Sequence, residues 1–196
     1  MKYKNKNPQP GSHNPVRRNL CQLGVLAGLG TSLPVLAQSP DRLRPQAGDV
    51  LVFDGGSQDG QPVTVEALML NAQPVAAFPR QADSGIVRSR SRLNRVMVMR
   101  LDPKSLDTAT LANSADGVIA YSAVCTHAGC DVFNWKPDEL RMACPCHESE
   151  FSVRENGQVV GGPALLPLAM LPLQIAGGVV VVRDVFTGSV GFQQEF

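Results

Sequence analysis

The hydrophobic positions fall into one long run and many short ones. The long run covers residues 20–37, LCQLGVLAGLGTSLPVLA, and is interrupted by Gln22, Thr31, Ser32 and Pro34. A stretch rich in Pro, Arg, Gln and Gly follows at 38–48, with the composition of a linker. Beyond it the apolar residues come in short runs at 50–53, 63–65, 95–101, 118–121, 140–142 and 179–183. These runs are rich in β-branched residues and punctuated by turn residues. Asp54-Gly55-Gly56 follows the first run and Gly177-Gly178 precedes the last. The pattern predicts short strands of an antiparallel, all-β domain over residues 49–196. Residues 105–114 leave room for one helical turn, confined by Pro103 and Asn113, and the chain has no internal repeat.

Composition narrows this picture. The chain has 196 residues, 43% of them hydrophobic, which suits one folded domain with a short appendage rather than a disordered tail. The net charge of +1 gives no basic face of the kind nucleic-acid binding needs. The charge is unevenly spread, however. Residues 1–37 carry five basic residues and no acid, which leaves 13 basic against 17 acidic in the remainder.

That basic head reads as an address label. Arg17-Arg18 precede the long apolar run, which ends in small residues near Ala37, the layout of a secretory leader. Paired arginines before a moderately apolar run favour twin-arginine export. The alternative is an uncleaved anchor through residues 20–37, although a span of about 20 apolar residues is the usual requirement. Either form puts residues 38–196 on the periplasmic side of a bacterial inner membrane, soluble or N-terminally tethered.

The cysteines and histidines carry the chemistry. Outside the head, which holds Cys21 and His13, four Cys and two His all lie between residues 125 and 147. They form two groups, Cys125-Thr126-His127-Ala128-Gly129-Cys130 and Cys144-Pro145-Cys146-His147-Glu148-Ser149. A lone Cys is usually a small buried hydrophobe and a lone His a hydrogen bonder, but six such residues in two tight groups point to a metal centre. Cys-x-His, sixteen residues, then Cys-x-x-His would satisfy a structural zinc ion. A 2Fe-2S cluster uses the inventory more fully. Its sulfides fill two positions on each iron, so the protein supplies two ligands to each, two thiolates to one and two imidazoles to the other. Cys130 and Cys146 are then free to join the two loops in an oxidising compartment, which would stabilise by roughly 3 kcal/mol.

CTHAGC with CPCHES is similar to the Rieske iron–sulfur proteins of the disulfide-containing branch, over about residues 48–196. That branch includes the iron–sulfur subunits of cytochrome bc complexes and the small subunits of periplasmic arsenite oxidases. The resemblance implies a cluster-binding subdomain at about 118–165 inserted in small antiparallel sheets. It implies Cys125 and Cys144 on the inner iron, His127 and His147 on the outer iron with ring edges near solvent, and a Cys130–Cys146 bridge. It also implies that Gly162-Pro163-Ala164, with Pro167, covers the cluster. Ferredoxin-type and oxygenase-type Rieske domains generally lack the extra cysteine pair.

The expected function is one-electron transfer, with a larger catalytic redox subunit or a cytochrome as partner. Ser149 stands where the family supplies a hydrogen bond to a sulfur, but Phe151 replaces the usual Tyr. The reduction potential is therefore expected to be positive yet below the top of the Rieske range, which runs from roughly −150 to +300 mV. Ala128 replaces the Leu that helps bc-type proteins pack against a quinol pocket. With Phe151 and the run Ile119-Ala120-Tyr121-Ser122, it favours an arsenite-oxidase-like relay over a quinol-oxidising subunit. Two surface features complete the expectations. Residues 55–92, with several Arg and Ser near their end in the run from Ile86, read as a solvated basic loop in preference to an insertion or docking surface. Glu148, Glu150 and Glu155 form an acidic patch near the cluster, either a docking face for a basic cytochrome or a solvated surface.

Overall fold

The computed structural model describes residues 38–193. The leader, with Cys21 and His13, lies outside the described residues.

β3 (Val96–Arg100) and β4 (Val118–Ser122) are apolar at every position along most of their length. That is the signature of strands buried on both faces. Their alternating side chains serve two cores. Val96, Val98, Val118 and Ala120 point into one, with Leu51, Phe53, Leu173, Val180 and Val182. Met97, Met99, Ile119 and Tyr121 point into the other, with Met142, Phe151, Leu168 and Met170. Cys125 and Cys144 belong to this second core, so the same packing that stabilises the domain also buries the candidate ligands. Tyr121 is fully buried, and its hydroxyl donates to the Val153 carbonyl at 3.1 Å.

These strands belong to a six-stranded antiparallel sheet, with β1 (Val50–Phe53), β2 (Val75–Arg80), β9 (Leu173–Ala176) and β10 (Val179–Val182) in the order β4-β3-β2-β1-β10-β9. The sheet closes on itself. The free edge of β4 bonds to the segment entering β9, Leu171 N to Ala120 O and Ser122 N to Ala169 O, both at 2.8 Å. Closure removes an edge that would otherwise invite pairing with another chain. β9 and β10 join through Gly177-Gly178, with φ of 59° and 80°, the conformation that tight hairpins require and glycine adopts freely. A second sheet, in the order β5-β6-β7-β8, holds β5 (Asn134–Lys136), β6 (Arg141–Ala143), β7 (Glu150–Ser152) and β8 (Gln158–Gly161). It lies in the chain between β4 and β9.

The expected all-β antiparallel architecture is what the chain adopts. α1 (Thr108–Asn113) is short and N-capped by Asp107, which accepts from Thr110 N at 2.7 Å. Among the described residues no helix is long and apolar enough to cross a membrane. Residues 63–65 differ from expectation. Instead of a strand they make only isolated bridges, Thr64 to Val179 and, beside them, Pro62 to Val52. The run expected at 140–142 begins one residue later, at Arg141.

Two segments of the surface also differ in character from what their composition suggests. Residues 40–49 lie along the domain. The Pro40 and Leu43 carbonyls accept from Arg88 and Asn94, and Asp49 is buried. The basic run is solvated at Arg90 and Arg92 but not at Arg88. Arg88 is 1% exposed and grips Asp49 with Nε at 2.6 Å and Nη2 at 3.1 Å. A buried guanidinium is tolerable only when paired and hydrogen-bonded in this way.

Candidate metal centre

Three loops meet, and strand ends position all three. The first, residues 125–130, leaves β4. Its backbone closes through Cys125 N to Cys130 O at 2.8 Å and Gly129 N to Cys125 O at 3.0 Å. The second, residues 144–149, joins β6 to β7 and closes in the same way, Cys144 N to Ser149 O at 2.9 Å and Glu148 N to Cys144 O at 3.0 Å. The third follows β8 and lies against the second. A Cβ on Gly162 would stand 2.5–2.7 Å from Ser149 Cα, Glu148 O and Ser149 N, so only glycine permits the approach. Ala164 N donates to the buried Ser149 hydroxyl at 3.2 Å, and Thr126 Oγ1 donates to Leu166 O at 2.6 Å. The cover loop is thereby tied to both of the others.

These loops assemble the candidate residues. Cys130 and Cys146 form a disulfide through their Sγ atoms that joins the first two loops, their Cα atoms 6.5 Å apart. Cys125 and Cys144 are free and buried. The His127 and His147 rings meet edge to face at 4.8 Å between centroids, His147 exposed and His127 partly so. Cys144 Sγ lies within 4.8 Å of both disulfide sulfurs. Those two sulfurs are spent on each other, so the three-sulfur group is not itself a metal site.

The donor set fits a metal cluster. His127 Nδ1 is buried and has no hydrogen-bond partner among the described residues. A buried polar atom left without a partner calls for an explanation, and a bound metal supplies one. Burial pushes the Cys125 thiol upward, and its neighbour Cys144 adds to the effect. Two adjacent thiolates in such a place need compensating positive charge. Two buried thiols on one side and two imidazoles at the surface on the other match a cluster with one iron deep and one shallow.

The remaining expected residues surround this centre. Phe151 is fully buried opposite Met142, in the core that holds both free cysteines. Ala128 is exposed at the tip of the first loop, and Pro163 and Pro167 are exposed on the third. Of the expected acidic patch, Glu148 and Glu155 are exposed, whereas Glu150 is half-buried. Glu150 is engaged by Lys136 and by Arg141, the latter at 3.2 Å, and these cations hold its carboxyl below its ordinary value. Only Glu148 stays free in the second loop.

Sequence reasoning missed the apolar collar beside His127. Leu165 is 89% exposed, Leu166 44% and Phe192 53%. With Thr126, His127, Pro163 and Gln193 they line a cleft of about 300 Å³. The signal was present as the pair Leu165-Leu166 directly after Gly-Pro-Ala, but nothing in the sequence said that this pair faces solvent.

Strand ends of the two sheets hold three loops that together present two free thiols, two imidazoles and a bridging disulfide, the ligand set of an iron–sulfur centre. Residues 88–172 match the family model of the Rieske [2Fe-2S] domain. Over those residues the chain carries a Rieske domain, whose group is one Rieske-type 2Fe-2S cluster. Over 70 residues, 35% of this chain, it is 39% identical to the cytochrome bc1 complex Rieske iron-sulfur subunit of Streptomyces lividans, covering 41% of that protein. Over 143 residues, 72% of this chain, it is 31% identical to a putative respiratory nitrate reductase subunit Rieske of Haloferax mediterranei, covering 60% of that protein. The chain thus spans about two fifths to three fifths of these relatives. Among solved structures, the ferredoxin of carbazole 1,9a-dioxygenase from Nocardioides aromaticivorans IC177 aligns with a TM-score of 0.42 at 24% identity, covering 63% of this chain and 94% of that one.

Proposed function

We propose that this chain is the iron–sulfur subunit of a larger respiratory oxidoreductase, passing one electron at a time to or from a partner redox subunit. The observation that carries this reading is the His127–His147 pair, whose rings meet 4.8 Å apart at the surface end of the domain. Cys125 and Cys144 would hold the inner iron, and His127 and His147 the outer one. When bound, the cluster supplies a one-electron couple in the Rieske range, roughly −150 to +300 mV. The chain's own residues do the rest. Phe151, Met142 and Tyr121 keep water from the cysteine side. Ser149 fastens the cover loop, and the two imidazoles bring the centre to within reach of a docked partner.

The partner we favour is a larger catalytic redox subunit, arranged as in periplasmic arsenite oxidases. Ala128 at the exposed tip and Phe151 in the core support it. A second reading, the iron–sulfur subunit of a quinol-oxidising bc-type complex, is supported by the Leu165, Leu166 and Phe192 collar. That collar restores next to His127 the apolar surface that Ala128 lacks. Relatives named as subunits of bc1 and nitrate reductase complexes agree with a partnered carrier in either case. The disulfide fits a location outside the bacterial cytoplasm, where such bonds persist. We therefore place the domain on the periplasmic side, delivered by the leader at 1–37 through the twin-arginine route and either released or tethered there.

The test is gentle affinity purification from the native cell with an absorbance scan of what accompanies the chain. A soluble, haem-b-free metalloenzyme partner is the expected result. Haem b bands in a membrane fraction would establish the bc-type reading instead, and recovery of the chain alone from both fractions would contradict the partnered carrier.

A further inference from the structure

Each of the two ligand-bearing loops is buttressed at its corner, but by different means. In the second loop the corner is Glu148, and the glycine backbone at Gly162 packs against its carbonyl. In the first loop the corner is Gly129, and a side chain does the work. Arg92 Nη2 donates to Gly129 O at 2.6 Å and to Asp131 Oδ1 at 2.7 Å. Gly129 lies two residues from His127 and next to Cys130 in the chain.

Arg92 projects from a rigid base. It opens a single turn, Arg92–Asn94, just before β3. Asn94 is fully buried, and its side-chain amide donates to Leu43 O at 2.7 Å and Arg88 O at 3.1 Å. Arg88 in turn is locked on Asp49. The basic run is thus a two-sided clamp, with its inner residues holding the segment at 40–49 and its outer residue holding the first loop.

The charges around that contact are balanced. Arg92 and Arg95 face Asp131 and Asp54, with Arg95 Nε 2.6 Å from Asp54 Oδ2 and Nη1 3.5 Å from Asp131 Oδ2. Removing one member leaves its opposite uncovered beside a site that becomes more negative on reduction. Asp131 and Arg92 are the two members that touch the first loop.

We propose that Arg92 is a positioning residue for the cluster: it fixes the loop that carries His127, and its charge favours the reduced form. The inference rests on the ligand assignment given above. Its opposing member, Asp131, acts with the other sign. Because the Arg92 side chain is 57% exposed, the electrostatic part weakens with salt.

The experiment compares R92Q and D131N with wild type and with R90Q, whose side chain among the described residues pairs with Asp41 and not with the first loop. The exported, cluster-loaded protein is equilibrated with a redox mediator at fixed ratio, and the reduced fraction is read by EPR. R92Q is expected to raise the oxidised-to-reduced ratio about fivefold and D131N to lower it about threefold, with R90Q unchanged and both shifts shrinking at high salt. Shifts of the same sign, or no difference from R90Q, would overturn the proposal. Should R92Q fail to assemble a cluster, D131N decides by its sign alone. A wild-type protein with no EPR signal would instead overturn the ligand assignment.

Discussion

Cys125 and Cys144 stand at the same place in two loops that share one hydrogen-bond frame. Each amide donates to the carbonyl five residues ahead, and each carbonyl accepts from the amide four residues ahead. The fifth residue of each loop has positive φ, 74° at Gly129 and 57° at Glu148. On this common frame the side chains are dealt differently. The histidine is third in one loop and fourth in the other, and the disulfide cysteine is sixth in one and third in the other. Two unlike motifs therefore present matched thiols and neighbouring imidazoles.

The cover loop depends on Gly162. A methyl group there meets backbone atoms of Glu148 and Ser149 at 2.5–2.7 Å and must also adopt φ of 77°. Gly162→Ala is expected to cost about 3 kcal/mol of stability by denaturant unfolding. Gly129→Ala carries the φ penalty alone, its nearest foreign atom being 3.8 Å away, and is expected to cost about 1 kcal/mol. Equal effects would contradict the packing reading.

The disulfide closes a loop with a sequence separation of 16. Joint Cys130→Ser and Cys146→Ser substitution is expected to leave a cluster that assembles, with stability lower by about 3 kcal/mol and a lower potential. Thermal unfolding followed at the cluster's visible absorbance measures the first, and redox titration the second.

Phe151→Tyr is expected to raise the potential by adding a hydrogen bond near a ligand sulfur, because Phe151 shares its core with Cys125 and Cys144. The site is fully buried, so some stability is lost to overpacking. A potential that is unchanged or lower, with the cluster intact, would refute the reading.

Acid sensitivity should trace to Glu150. Its carboxyl is held low by Lys136 first and Arg141 second. Its contribution is therefore present above the unfolded carboxylate value of about 4.3 and lost as pH falls through the lower folded value. The Lys136 ammonium is raised by the same contact, so its share is present below about 10.4 and lost as pH climbs past the folded value. In melting curves against pH, Glu150→Gln should lie below wild type between about pH 5 and 10 and converge with it once the pH falls well below the ordinary carboxylate value. A gap that persists undiminished into acid below the ordinary carboxylate value would contradict the assignment.

The sequence made the strands with long β-branched runs legible, β1, β3, β4 and β10, because their burial on one or both faces demands such residues. It hid β5, β7 and β8, which are three or four residues long and partly polar, since β5 and β7 are held mainly by their neighbours and by the loops they carry. β2 was hidden by Pro79, which breaks the usual strand composition. The cysteines and histidines were legible because four thiols and two imidazoles in 23 residues have few other uses. The collar at Leu165, Leu166 and Phe192 and the Arg92 clamp were not. Their meaning depends on which way a loop faces and on contacts between segments far apart in the chain, 37 and 39 residues for the two Arg92 bonds.

The central claim is that Cys125, His127, Cys144 and His147 hold the cluster while Cys130 and Cys146 do not. The most direct measurement is the EPR spectrum and iron content of the reduced protein with each cysteine replaced in turn by serine. Loss of the signal at Cys125 and Cys144, with retention at Cys130 and Cys146, is the predicted result. A signal that survives at Cys125 or Cys144, or a wild-type protein that holds zinc and no iron, would contradict it.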